Sequence, residues 1–167
     1  MTRSDQRPPA LDELDRRILE ELQRDGGLSN LDLAERIGLS PSPCSRRVKA
    51  LEDAGIIEKR VTLLDRKKLG LTLTAFIQIS MDRHTPERFD HFETSVRAYP
   101  EVQACWMITG HDADYLLKVV VPDMDHYQAF LLDKITRIEG VIGVHSSFVL
   151  RKAVDTTALP LAYARRG

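Results

Sequence analysis

Residues 29–55, SNLDLAERIGLSPSPCSRRVKALEDAG, carry two helix starts and two helix stops in close succession. Ser29 with Asp32 three positions on resembles a capping box in which Asp takes the usual Glu position. A short helix follows through Leu33, Ala34 and Ile37 and stops at Gly38, because glycine tolerates the left-handed cap conformation. Ser40 can cap a third helix, and Pro41 suits its first turn, where the missing N–H has no intrahelical partner to lose. Pro43 still lies within that turn. The helix is expected to reach about Asp53, with Gly55 stopping it. Two short helices joined by a glycine turn, the second one basic, form a helix-turn-helix.

The orientation of the third helix follows from its period. At about 100° per residue, Cys44, Val48 and Leu51 share a narrow arc that faces the core, while Ser42, Arg46 and Lys49 point away. Ser45 flanks the outer face, and Arg47 lies nearer the core edge. No acid occurs between Glu35 and Glu52, whereas Arg36, Arg46, Arg47 and Lys49 all fall there. A local basic face is what groove binding needs. Ser40, Ser42, Pro43, Ser45, Arg46 and Lys49 are therefore the candidate DNA contacts. Arg47 joins them as a clamp on phosphate, or else braces the domain. The competing reading is a solvated helix face on a protein-binding module. Cys44 reads as a small buried residue, not a nucleophile.

Upstream, Leu11, Leu14, Ile18 and Leu22 recur at helical spacing beside Leu19, with Asp12, Glu13 and Asp15 where a helix dipole favours acids. Gly26-Gly27 ends this first helix, expected over Asp12 to Asp25. Downstream, Ile56 to Leu64 has β character and reads as a wing-like strand or as the lead into a linker; Asp65 to Gly70 reads as the hinge. The expected organisation is a flexible N-terminus over 1–10, a DNA-binding domain over 11–64, a linker over 65–71, a second domain over 72–154 and a tail over 155–167.

Composition fits a globular protein: 167 residues, 43% apolar and 29% charged. The net charge of −1 hides local asymmetry. No run approaches the roughly 18 apolar residues of a membrane span, and Met1 to Ala10 lacks the apolar core of a signal peptide, so a cytoplasmic location is expected and no membrane partner. Cys44 and Cys105 fall in different predicted domains, which argues against a disulfide framework or a cysteine metal site. His84, His91, His111, His126 and His145 show no ligand spacing. No metal, cofactor or catalytic residue is expected.

Beyond Leu71 the period changes. TLTAFIQISM (72–81) alternates, with Leu73, Ala75, Ile77, Ile79 and Met81 on one face. Thr85-Pro86-Glu87 opens a helix carrying Phe89, Phe92, Val96 and Tyr99, ended by Pro100. Val102 to Thr109 and Asp114 to Val121 form a hairpin around Gly110-His111-Asp112-Ala113. Pro122-Asp123 caps a helix with Tyr127, Phe130, Leu131, Ile135 and Ile138 inward, ended by Gly140, and Val141 to Leu150 is the last strand. The order β-α-β-β-α-β is the ferredoxin-like arrangement, so the fold class is α+β: an N-terminal three-helix, winged-type helix-turn-helix, then a ferredoxin-like domain. Its helix-free sheet face is partly apolar, and in so small a domain a second copy usually buries such a face, which predicts a homodimer. At the hairpin turn, Gly110, Asp112 and Asp114 gather backbone amides and carboxylates that can hold the two charged groups of an amino acid. The competing reading is a turn built from turn-favouring residues.

The run from Leu11 to Ile57, above all GLSPSPCSRRVKALEDAGII, resembles the N-terminal module of the leucine-responsive regulatory protein (Lrp/AsnC) family. WMITGHDADYLLKVVVPDM resembles that family's effector-side signature, and IEGVIGVHSSFVL its last strand; the likeness spans Leu11 to Val154. It implies a transcription regulator bound to double-stranded DNA, with a RAM-type second domain that binds an amino acid such as leucine or another branched-chain residue. It also implies a dimer able to assemble into an octamer of four dimers, with the effector held between dimers. Gly110, Asp112, Asp114 and Tyr115 match the signature. Ser146 matches a position where relatives often carry Thr, while Val144 departs from a polar position. Two other readings compete: an architectural DNA-binding protein without a ligand, and a ferredoxin-like enzyme. Against the enzyme stands the lack of any G-x-S-x-G, P-loop, G-x-G-x-x-G or metal-ligand cluster.

Overall fold

A computed structural model describes residues 10–110 and 112–164. The expected flexible segment lies, apart from Ala10, outside the described residues, as does His111. The described residues form two compact units, one from residues 10–63 together with 154–164, the other from Leu64 to Ala153.

The first unit holds α1 (Glu13–Arg24), α2 (Asn30–Ile37) and α3 (Pro41–Asp53). Asp12 caps α1 reciprocally: its carboxylate accepts from the Asp15 N–H at 2.8 Å, and its own N–H donates to the Asp15 carboxylate at 3.3 Å. At α2 the Ser29 hydroxyl accepts from the Asp32 N–H, but the return bond runs from that hydroxyl to the Asp32 carboxylate, not from the backbone. Gly38 closes α2 at φ 74°, a conformation that L side chains resist. Ser40 precedes α3 in extended conformation but makes no side-chain cap bond, contrary to the sequence expectation; Pro41, with no N–H to satisfy, starts the helix instead. Ile18, Leu19, Leu33, Ala34, Ile37, Cys44 and Leu51 form the core. Residues 56–64 form no strand, so the stretch leads into the linker and no wing strand pairs there.

The tail is part of this unit. Leu161 and Ala164 pack on the helical core. Arg16 donates to the Leu161 carbonyl at 2.6 Å and to the Ala164 carbonyl at 2.9 Å. The Gln23 amide both donates to the Leu159 carbonyl and accepts from the Leu159 N–H.

The second unit runs β1 (Leu73–Met81), α4 (Pro86–Arg97), β2 (Val102–Met107), β3 (Tyr115–Val121), α5 (Met124–Asp133) and β4 (Val141–Phe148). The strands lie in the antiparallel order β2-β3-β1-β4, the ferredoxin-like topology. Period-2 alternation sends Ala75, Ile77, Ile79 and Met81, with Tyr115, Leu117, Val119 and Val121, into a core closed by Phe92, Val96, Tyr127 and Phe130. Expected as one helix to Gly140, α5 stops at Asp133; Ile135–Arg137 tightens into a 3-10 turn that still buries Ile135. The register places Phe76, Gln78, Leu116, Lys118, Val120 and Trp106 on the opposite face. There Trp106 is 46% exposed.

Candidate functional site

On α3 the burial follows the helical rotation. Cys44 is fully buried and Leu51 nearly so, whereas Ser42, Ser45, Arg46 and Lys49 are exposed. Burial also raises the Cys44 thiol pKa, which keeps the group inert. Ser40 is exposed ahead of the helix and Pro43 is half-buried. Among the described residues, no hydrogen bond or ion pair engages Arg46 or Lys49. The start of α3 is positioned by Asn30, whose side-chain amide donates to the Pro41 carbonyl at 2.8 Å.

Arg47, one residue beyond Arg46, has the other fate. Its guanidinium reaches Asp12 and Asp15, both at 2.7 Å, and is 33% exposed. Through Nη1 it ties α3 to the capped end of α1, the bracing alternative. The Asp15 N–H holds the Asp12 carboxyl below its ordinary value, and Arg47 adds to the effect.

In the second unit the hairpin between β2 and β3 is anchored to the end of β1. The Asp114 carboxylate accepts from the Met81 N–H at 2.7 Å and meets His84 Nε2 at 2.8 Å. The Asp114 N–H donates to the Ile79 carbonyl, and its carbonyl accepts from the Ile108 N–H. Asp114 therefore braces the turn. Asp112 is exposed; among the described residues only its backbone carbonyl is engaged, by the Ser80 hydroxyl at 2.6 Å, and its carboxylate has no partner there. Gly110 is exposed, and a Cβ there would meet nothing within 4 Å. Among the described residues, nothing crowds that position.

The remaining candidates lie elsewhere. Tyr115 is 1% exposed on the helix side, its ring against Phe89 and Phe92 and its hydroxyl donating to Glu93 at 2.9 Å. Burial, then the Glu93 carboxylate, raises its pKa. It is a packing residue in the single chain. Ser146 sits opposite Ile77 on β4, with β1 between it and β3, which separates it from Tyr115 by about 10 Å of sheet. Its hydroxyl pairs with that of Tyr127. The single chain thus gathers Gly110, Asp112 and Asp114 and leaves Tyr115 and Ser146 outside the turn. Ser80 and His84, which support it, were not singled out from the sequence; a strand serine and a lone histidine carry no spacing signal. Among the described residues, no cluster of three or more acids, histidines or cysteines is placed to hold a metal ion.

An exposed, unpaired basic face on the second helix of a helix-turn-helix, joined to a ferredoxin-like domain with an anchored polar turn, defines a DNA-binding regulator with a separate ligand-binding part. Comparison with known proteins agrees. Residues 11–58 match the model for winged helix-turn-helix DNA-binding domains, and residues 74–159 match the Lrp/AsnC ligand binding domain. The chain is 40% identical to the leucine-responsive regulatory protein of Escherichia coli over 149 residues, covering 89% of this chain and 90% of that protein. It is 40% identical to the transcriptional regulator AzlB of Bacillus subtilis over 151 residues, covering 90% and 96%. A crystal structure of a transcriptional regulator from Neisseria meningitidis in complex with L-methionine superposes with a TM-score of 0.87 at 45% identity, covering 91% of this chain and 97% of that one. The chain belongs to the Lrp/AsnC family of transcriptional regulators. No helix among the described residues is long and apolar enough to cross a membrane.

Proposed function

We propose that this regulator reads double-stranded DNA with Ser42, Ser45, Arg46 and Lys49, entering the major groove from the Ser40–Pro43 end of α3, and that it responds to an amino acid with an apolar side chain. The observation that carries the first half is the outward, unpaired placement of Arg46 and Lys49. A guanidinium suits bidentate contact with a guanine edge and an ammonium suits a phosphate, and among the described residues neither has an acid partner to give up. For Arg47, paired with Asp12 and Asp15, the proposed role is to brace the domain.

The effector reading rests on the hairpin. The exposed Asp112 carboxylate, without a partner among the described residues, complements an ammonium group, and the exposed turn at Gly110 complements a carboxylate. The L-methionine complex of the Neisseria relative supports this ligand class, and leucine, another branched-chain residue or methionine fits it. Two copies are proposed to pair through the sheet face bearing Phe76, Leu116, Val120 and Trp106, with an octamer of four dimers as the larger assembly. Pairing would present two recognition helices to a roughly symmetric site. No catalytic step is assigned, and the cytoplasm is the proposed place of action.

The test combines binding to the DNA upstream of the protein's own gene with a thermal-shift panel of amino acids. Leucine or methionine is expected to raise the melting temperature, as a ligand of the native state must, and to change DNA affinity. DNA binding with no shift from any amino acid would leave the architectural reading in place of this one.

A further inference from the structure

A groove of about 320 Å³ opens between the C-terminal half of α4 and β2, lined by Glu93, Val96, Arg97, Val102, Met107 and Tyr115 among others. The volume lies at the small end of the range for ligand sites, where a single amino acid fits. Glu93 and Arg97 stand one helical turn apart, in the order that favours an ion pair. They do not form one. The Tyr115 hydroxyl donates to one Glu93 oxygen at 2.9 Å, and among the described residues nothing engages the exposed Arg97 guanidinium. Val96, Val102 and Met107 add apolar wall. The groove also runs along a sheet edge, since β2 pairs with β3 alone and its outer backbone groups are unclaimed by the sheet.

Two opposite charges held apart on one wall, beside an apolar wall, complement a molecule that carries both charges on one carbon and an apolar substituent. We propose that this groove is a second binding site for a free, zwitterionic amino acid with an apolar side chain. Arg97 takes the carboxylate through its planar fork, Glu93 takes the ammonium, and the side chain lies against Val96, Val102 and Met107. The ligand class rests on the effector reading above, whereas the location rests on the groove alone. Cys105 also lines it, but burial, with Glu93 adding, pushes its thiol up to about 11, so it acts as an apolar neighbour and not as a nucleophile.

The experiment uses the full chain labelled with methyl-13C methionine. Four methionines give four methyl signals, and Met107→Leu identifies the one in the groove. Titration with L-leucine is expected to move the Met107 methyl saturably. N-acetyl-leucinamide, which has the side chain without either charge, is expected to leave it still. Arg97→Met should weaken the Met107 response about tenfold or more, and Glu93→Gln, which keeps an acceptor for Tyr115, should weaken it less. Asp112→Ala should leave it unchanged. Circular dichroism checks that each variant folds. If leucine raises the melting temperature while the Met107 methyl stays still, or if Asp112→Ala and not Arg97→Met abolishes its shift, the groove is not a site and the hairpin reading stands. If no amino acid raises the melting temperature or moves any methyl, the ligand class fails and both readings fall.

Discussion

Arg46 and Arg47 are adjacent and chemically identical, yet the helix turns them about 100° apart and gives them different work. Arg46 meets solvent; Arg47 meets Asp12 and Asp15. Truncating Arg47 should therefore act on stability first. Arg47→Ala leaves two neighbouring carboxylates without their cation, at a cost of about 1 kcal/mol for a part-exposed, doubly hydrogen-bonded pair. Thermal melts are expected to show the loss at every DNA concentration, with DNA affinity changed much less than in Arg46→Ala. An unchanged melt with strongly reduced DNA binding would return Arg47 to the contact set. Asp112 and Asp114 make a similar contrast. The sequence places both at the turn, but which one is free depends on how β3 pairs with the end of β1, a long-range register that local composition does not encode.

At the scale of elements, the helices and strands were legible where periodicity and punctuation agreed. The alternation of Ala75, Ile77, Ile79 and Met81, and the arc of Cys44 and Leu51, reappear as buried faces. Disagreement arose where a local preference lacked a partner. Residues 56–64 carry β-forming side chains and form no strand in this chain, and the helix expected to run to Gly140 gives way to a tighter turn after Asp133. The α1 cap supports a pH prediction. Asp12 has a depressed carboxyl pKa in the folded chain, so its contribution is present above the unfolded value near 3.9 and is lost as pH falls through the folded value. Asp12→Asn keeps an acceptor for the Asp15 N–H and removes the charge. It should melt below the parent at neutral pH by on the order of 0.5 kcal/mol or less, and the gap should close in acid. A gap that widens on acidification would contradict the assignment.

At the scale of the molecule, the tail was the least legible part. TTALPLAY has no helical or strand period, and its place on the helical unit comes from Arg16 and Gln23 binding its backbone, contacts from positions more than 130 residues earlier in the chain. The helix-free sheet face was legible, because alternation leaves Phe76, Leu116, Val120 and Trp106 without a covering layer. If a second copy covers it, the double change Phe76→Asp with Trp106→Asp buries two unpaired charges in the interface. Sedimentation should then show a parent of at least two chains and a variant reduced to one. A parent that is monomeric at micromolar concentration would contradict the pairing.

Everything functional depends on the outward face of α3 meeting DNA. The most direct measurement is the affinity of the parent, Arg46→Ala and Lys49→Ala for the DNA upstream of the protein's own gene, taken over a range of salt concentrations. Arg46→Ala should lose about 1–3 kcal/mol of specific binding, and Lys49→Ala should reduce the salt slope by about one, both with unaltered melting temperatures. Parent-like affinity and salt slope in both variants would contradict the account.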